Sequence, residues 1–433
     1  MKEKTDVLII GAGVSGCASA QALQARGIKY LLLEKNAEPG GLTRSISLGD
    51  ASFDYTGHYL HLSRWSSPSQ IPYAKQNDND WHIVKRKSSV YLDNSFIPAP
   101  FQYNLCALPK TARRKCIQDF RNRILESNSR SLKEYLLSGF GSGMCELFFF
   151  PYIEKQLAVS IDELSVNAVN RFFPYPDPEK IENGCRKRKI KIDDEYNGYF
   201  WYPKQKGIGI LAQGLAEGLM HLRTSCPIKK ISLRRKCVET ASGEIRYEKL
   251  ITSIPLKLFC LMSDDENLRE LGSLLAHNRV LCLNLLFNGP LCSDLEKRHW
   301  IYLPEQNTPF YRLGVYPNIY YPSESLSQRG VYVEVSYSHT APLPPLNDII
   351  DEVFCSLEKL YWADRKNCMV ISANWIEYAY VYFDHLHKET VPAICEILQK
   401  NQTYPIGRYG LWDYISMEDS IESGIRAATE ITS

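Results

Sequence analysis

Residues 6–10, DVLII, are an unbroken apolar run, the pattern of a strand buried on both faces. The turn GAGVSG follows. CASAQALQARG then predicts a helix closing at Gly27. YLLLEK is apolar again and predicts a second strand ending at Glu34. Residues 104–170 carry helix-forming stretches and predict a small helical lobe. VLCLNLLFNG, GVYVEVSYS and CMVISANWIEYAYVYF predict an antiparallel sheet within 266–399. Near the end, SMEDSIESGIRAATEI predicts a helix with Ser416 as N-cap and acids in the first turn. The fold class is α/β, α+β overall: a Rossmann-type domain, a helical lobe and an antiparallel-sheet domain.

The chain has 433 residues, more than one small core fills, so two or three packed lobes are expected. Hydrophobic residues at 44% and charged residues at 23% are an ordinary globular balance. A net charge of +2 gives no reason to expect nucleic acid as a partner. No 18-residue apolar run is evident, so no membrane span is expected. The opening MKEKTDVLIIGAG reads as entry into a strand rather than a secretion signal. The 13 cysteines are scattered without a C-x-x-C pair, which points to reduced thiols and a cytoplasmic protein.

The chemistry begins in the first turn. Gly11, Gly13 and Gly16 have the G-x-G-x-x-G spacing. The first permits the tight turn, the second lets a pyrophosphate approach the backbone, and the third lets helix and strand pack closely. Glu34 stands where an acid binds ribose hydroxyls. A second glycine turn, NAEPGGLTRS, supplies Gly40, Gly41 and Arg44. FDYTGHYLHL places His58 and His61 three apart behind Gly57. On a strand-like segment the two rings diverge, and no acid or cysteine lies at ligand spacing, so no metal is expected. His61 reads as a satisfied core histidine. CRKRKIKIDDE (185–195) reads as a solvated loop, with a lid over an anion as the alternative.

The arrangement Glu-x(5)-Gly-Gly-x-x-Arg resembles FAD-binding proteins of the amine oxidase and UDP-galactopyranose mutase superfamily. Further stretches resemble the mutases in the right order along the chain: IPAPFQYNL (97–105), FFFPYIEKQLAVSIDELS (148–165), YFWYPKQKGIGILAQGL (199–215), HWIYLPEQNTPFYRLGVYPN (299–318), WIEYAYVYFD (375–384) and GRYGLWDYISMED (407–419). The chain departs from the pattern at Ile153 and Leu157, where the family has Asn and Trp, and at Val381, where it has Pro. The first two departures leave the sugar and its nucleotide carrier open.

The resemblance implies FAD as cofactor, with NADPH or NADH compatible as reductant. It implies a discontinuous FAD domain (1–75, 203–265, 400–433), a helical lobe (104–170) and a sheet domain (76–103, 171–202, 266–399). Cofactor contacts are implied for Gly11, Gly13, Ser15, Gly16, Glu34 and Lys35, then Gly41, Leu42, Arg44, Gly57 and His58. Gly407, Ser416, Met417, Glu418 and Ser420 complete the set. His58 would lie against the isoalloxazine, with Gly57 letting the backbone approach that ring. Arg312 and Arg408 would hold a diphosphate, helped by Tyr380 and Tyr414. Trp300 and Tyr302 would line the sugar and phosphate path, Phe101 and Gln102 would border the base, and Arg171 would add a further arginine.

The implied activity is redox-neutral: pyranose and furanose forms of a sugar nucleotide interconvert through a reduced-flavin N5 sugar adduct, with His58, Arg312 and Arg408 as catalytic residues. The alternative is an FAD-dependent oxidoreductase on the same fold, of amine oxidase, desaturase or sugar oxidase type. A small-molecule sugar nucleotide is the expected partner, and a homo-oligomer stays open.

Overall fold

A computed structural model of the chain describes residues 3–48, 51–125, 128–169, 176–186, 198–319 and 328–432. Arg171 and residues 187–195 of the basic segment lie outside the described residues.

The first sheet grows from strand Glu3–Ile10, exposed at its charged start and buried along its apolar run. It pairs in parallel with Tyr30–Leu33 on one side and Gly243–Thr252 on the other. Leu222–Arg223 and Thr403–Pro405 add further parallel pairings, and Ile228–Ser232 with Cys237–Thr240 extend the sheet antiparallel. Distant segments thus join one sheet, as a doubly wound fold requires. Helix Val14–Ala25 packs against helix Met417–Thr432. At their crossing a Cβ on Gly424 would stand 2.2 Å from the Ser15 carbonyl oxygen, so glycine lets the two backbones touch.

The second sheet has the order Cys368–Ile376, Asn278–Asn288, Gln328–Ser338, Arg312–Val315, Trp300–Tyr302, Ser88–Leu92, Ser95–Pro98. It is not wholly antiparallel as expected: Trp300–Tyr302 runs parallel to Ser88–Leu92. That pairing joins segments more than 200 residues apart, and no local pattern announces it. Strand Cys368–Ile376 also stops short of the apolar stretch that predicted it. In Gln328–Ser338, Val331, Val333 and Val335 join the core beneath helix Leu346–Lys359. Tyr332, Glu334 and Ser336 therefore share the opposite face.

The helical lobe holds Lys110–Arg121, Leu132–Met144, a π-helical turn at Cys145–Phe149, and Phe150–Leu157. Ser131 and Glu134 start the second helix with a reciprocal capping box. By length and composition alone, Leu132–Leu157 is apolar enough to cross a membrane, which sequence reading had not anticipated. Leu136, Phe140, Met144 and Phe149 of this stretch are buried in the lobe's own core.

Candidate functional site

One continuous cavity of about 1210 Å³ runs from the first glycine turn to the helical lobe. At the turn, Gly11 has φ +92°, a conformation in which a side chain is strained, and its Cβ would meet Ser253 Oγ at 2.4 Å. A Cβ on Gly16 would stand 1.9 Å from the Gly11 carbonyl oxygen. A Cβ on Gly13 would meet nothing within 4 Å. Gly13 thus leaves room on the cavity side for a ligand to approach the backbone, whereas Gly16 packs helix against strand and does not line the cavity. The second glycine turn lies against the first: the Gly40 N–H donates to the Ala12 carbonyl at 2.7 Å. Glu34 accepts from the Ala12 N–H at 2.8 Å and from the Asn36 N–H at 3.0 Å, which fixes its carboxylate at the cavity wall. Lys35, Gly41, Leu42 and Arg44 also line the cavity.

Ser416 caps helix Met417–Thr432. Its hydroxyl accepts from the Asp419 N–H at 3.1 Å, and Asp419 Oδ2 accepts in return from the Ser416 N–H at 2.9 Å. Ser15, Ser416, Met417 and Ser420 line the cavity, so this helix N-terminus opens toward it. Two expectations are corrected here. Glu418 faces away from the cavity: it is buried and accepts from the N–H groups of Ser63, Arg64 and Trp65 at 2.7–3.1 Å. Gly407 is a packing position, where a Cβ would meet Ser15 Oγ at 2.4 Å.

His58 lines the cavity from an irregular segment rather than a strand, because the regular strand ends at Asp54. Gly57 beside it accommodates the protein's own Tyr332, whose hydroxyl would lie 2.2 Å from a Cβ there. His61 is not a core histidine: it lines the cavity, partly exposed, with Nδ1 3.0 Å from the Tyr199 carbonyl. Among the described residues no group of three His, Cys, Asp or Glu is arranged to hold a metal. Burial, with the Arg408 and Arg312 charges, pushes His58 down to about 4, although Glu334 opposes the shift. The ring is therefore neutral at neutral pH. Between pH 6.5 and about 4 the unfolded chain binds a proton that folded His58 does not, so stability falls as pH drops through that window. Thermal unfolding of the apoprotein is expected to show a shallower acid-side decline in a His58→Asn variant. Identical pH slopes would refute this assignment.

Further along, Arg312 forms a fork with Glu334: Nε to Oε2 at 2.8 Å and Nη2 to Oε1 at 2.7 Å. Burial opposes ionisation of Glu334. The Arg312 charge and donors from Arg312, Tyr311 and Thr56 outweigh it and hold the carboxyl below the usual range. Arg312 thus enters the cavity already neutralised, which the sequence did not predict. Arg408 differs. Its guanidinium lies 3.9 Å from the centre of the Tyr414 ring, donates to the Ile415 carbonyl at 3.3 Å and also meets the Tyr409 and Tyr414 hydroxyls. Among the described residues no carboxylate pairs with it. Tyr380 and Tyr414 lie nearly parallel, 6.0 Å apart, beside it. Burial, with the Arg312 charge opposing, pushes Tyr380 up to about 12, so it remains a phenol able to donate.

Trp300 and Tyr302 line the same cavity, as do Phe101 and Gln102 nearer the helical lobe. Ile153 and Leu157 also line it, one turn apart on Phe150–Leu157. Trp300 Nε1 and the Tyr152 hydroxyl are buried donors without a partner among the described residues. Sequence reasoning missed Tyr59, Tyr152 and Glu334. Tyr59 stacks on Trp300 at 4.7 Å and shares a 2.8 Å hydrogen bond with Tyr332. The alternation of GVYVEVSYS was the available signal for Glu334, since it sets the acid on the face opposite the valine core.

A solved structure of reduced UDP-galactopyranose mutase superposes with a TM-score of 0.89 at 23% identity, over 99% of this chain and 95% of that one. The chain has the UDP-galactopyranose mutase fold. Other structures share the mutase fold's outline at lower similarity. The CLA-producing fatty acid isomerase of P. acnes has a TM-score of 0.67 and 14% identity over 98% of both chains. Putrescine oxidase bound to putrescine has 0.63 and 13% over 100% of both. A family model described as an NAD(P)-binding Rossmann-like domain matches residues 9–69. Hydroxyneurosporene desaturase of Rubrivivax gelatinosus is 39% identical over 59 residues, 14% of this chain and 11% of that protein. All-trans-retinol 13,14-reductase of Rattus norvegicus is 36% identical over 62 residues, 14% of this chain and 10% of that one. The chain thus matches only about a tenth of the length of these two curated relatives.

Proposed function

We propose that the protein binds FAD and, with the flavin reduced, interconverts pyranose and furanose forms of a sugar nucleotide. The observation that carries this reading is Arg408, a guanidinium with no carboxylate partner among the described residues, set among tyrosines in the same cavity as the glycine turns and His58. The open side of Gly13 and the cavity wall at Glu34 fit a dinucleotide. A guanidinium without a carboxylate partner fits a diphosphate. The unpartnered donors of Trp300 and Tyr152 fit a hydroxylated ligand, since an apolar one leaves them unsatisfied.

A reduced flavin, held by the glycine turns and Glu34, would supply nucleophilic chemistry toward an anomeric carbon when bound. The chain's own residues hold and orient. Arg408 takes the charge that grows on the departing diphosphate, and Tyr380 and Tyr414 stand beside it as hydroxyl donors. Arg312, fixed by Glu334, directs its remaining N–H groups inward. Neutral His58 presents a ring without added positive charge. Ile153 and Leu157 give the wall near the helical lobe an apolar character. No serine, cysteine or carboxylate nucleophile is needed.

A second reading, an FAD-dependent oxidoreductase, is favoured by the short likeness to desaturase and reductase sequences. NADPH or NADH suits either reading as reductant. Turnover of a panel of pyranose and furanose sugar nucleotides, held anaerobically with oxidised or reduced flavin, separates the two. Conversion only in the reduced form, without net consumption of reductant, is expected. Bleaching of oxidised flavin by one compound, with no isomerisation, would replace the mutase reading.

A further inference from the structure

Glu334 is almost wholly buried, with its side chain 1% exposed, and accepts hydrogen bonds from two places in the chain. Arg312 supplies two N–H donors, and Tyr311 supplies its hydroxyl. From the segment leading to His58 come the Thr56 hydroxyl at 2.7 Å and the Gly57 N–H at 3.4 Å. One carboxylate therefore clamps Arg312 to the histidine segment and also cancels the arginine's charge. Arg408, beside the stacked tyrosines, has no carboxylate partner among the described residues.

We propose that Glu334 divides the labour of the two arginines: Arg408 supplies the net charge that captures a diphosphate, while Arg312, neutralised by Glu334, aligns the captured group with the His58 segment. The inference rests on the reading of this cavity as a diphosphate site. It predicts an unusual sign. An acid beside an anion site normally weakens anion binding through repulsion and charge cancellation, so removing it strengthens binding. Removing Glu334 also frees the His58 segment, so turnover falls. A residue that only supported the fold would lower affinity and turnover together.

The experiment measures binding of inorganic pyrophosphate and of UDP to the flavin-loaded protein by titration calorimetry, with turnover and thermal stability recorded in parallel. Glu334→Gln is expected to bind pyrophosphate about three- to tenfold more tightly than the wild type. Its turnover is expected to fall by about tenfold or more. Arg312→Met combined with Glu334→Leu replaces the buried pair by apolar side chains, an exchange that folds often tolerate. That double variant is expected to keep pyrophosphate affinity within about threefold of wild type, because Arg408 is untouched. Weaker binding by Glu334→Gln, or a large loss of affinity in the double variant, overturns the division of labour while leaving the diphosphate site standing. If the wild type binds neither ligand, the functional reading itself falls, and this inference with it. Should Glu334→Gln not fold, the double variant alone decides.

Discussion

Arg408→Ala is expected to lower kcat/KM by about 10²–10³-fold, on the order of 3–4 kcal/mol of transition-state stabilisation. The size follows from the site's charge balance. Arg312 brings no net charge, because Glu334 meets it with a two-point ion pair. Arg408 meets ring faces, tyrosine hydroxyls and one backbone carbonyl, and no carboxylate among the described residues. Charge growing on a departing diphosphate therefore falls chiefly to Arg408, in a cavity where screening is weak. Lysine at 408 keeps the charge but loses the planar fork, so Arg408→Lys is expected to recover only part of the loss. Pyrophosphate affinity should fall with Arg408→Ala in the same assay. An unchanged kcat/KM, measured on the substrate that the redox-resolved panel identifies, would remove Arg408 from the reaction.

The second large effect separates two glycines three residues apart. Gly13→Val should fold with nearly wild-type apoprotein stability and carry no flavin. Its φ of −72° suits any residue, and a Cβ there enters open cavity. Gly16→Ala should instead lose about 3 kcal/mol of stability, because its Cβ would collide with the Gly11 carbonyl on rigid backbone. Flavin absorbance of the purified variants, with thermal melts of their apo forms, checks both. Flavin retained at wild-type stoichiometry by Gly13→Val would show that the cofactor lies elsewhere.

What could be read before folding was what is local. Strand, glycine turn, helix and second strand lie within the first 34 residues, and each announces itself by its own periodicity. The Ser416 cap is equally local, since its partner Asp419 is three residues away. Glu418, next to it, was misread for the complementary reason. The resemblance implied a cofactor contact for it, but its partners lie 353–355 residues earlier. Gly57 lines the cavity, but its second role, making room for Tyr332 from a distant strand, could not be read locally. Glu334 was visible as an acid on one face of an alternating strand, but its meeting with Thr56 and Arg312 exists only after the sheet has formed. The parallel pairing of Trp300–Tyr302 with Ser88–Leu92 likewise needed the assembled sheet.

The seating of Gly424 against Ser15 has a temporal side. The glycine turn is made first, and the helix that closes over it comes more than 400 residues later. Until that helix leaves the ribosome, the backbone at Ser15 and the amides of 63–65 have no partner to receive them. The site can therefore be complete only after helix Met417–Thr432 has been made, and cofactor loading follows the synthesis of that helix. Strand Glu3–Ile10 must wait for Gly243–Thr252 before its edge on that side is paired, so a chain halted between the two exposes an aggregation-prone sheet edge instead of forming a smaller working domain.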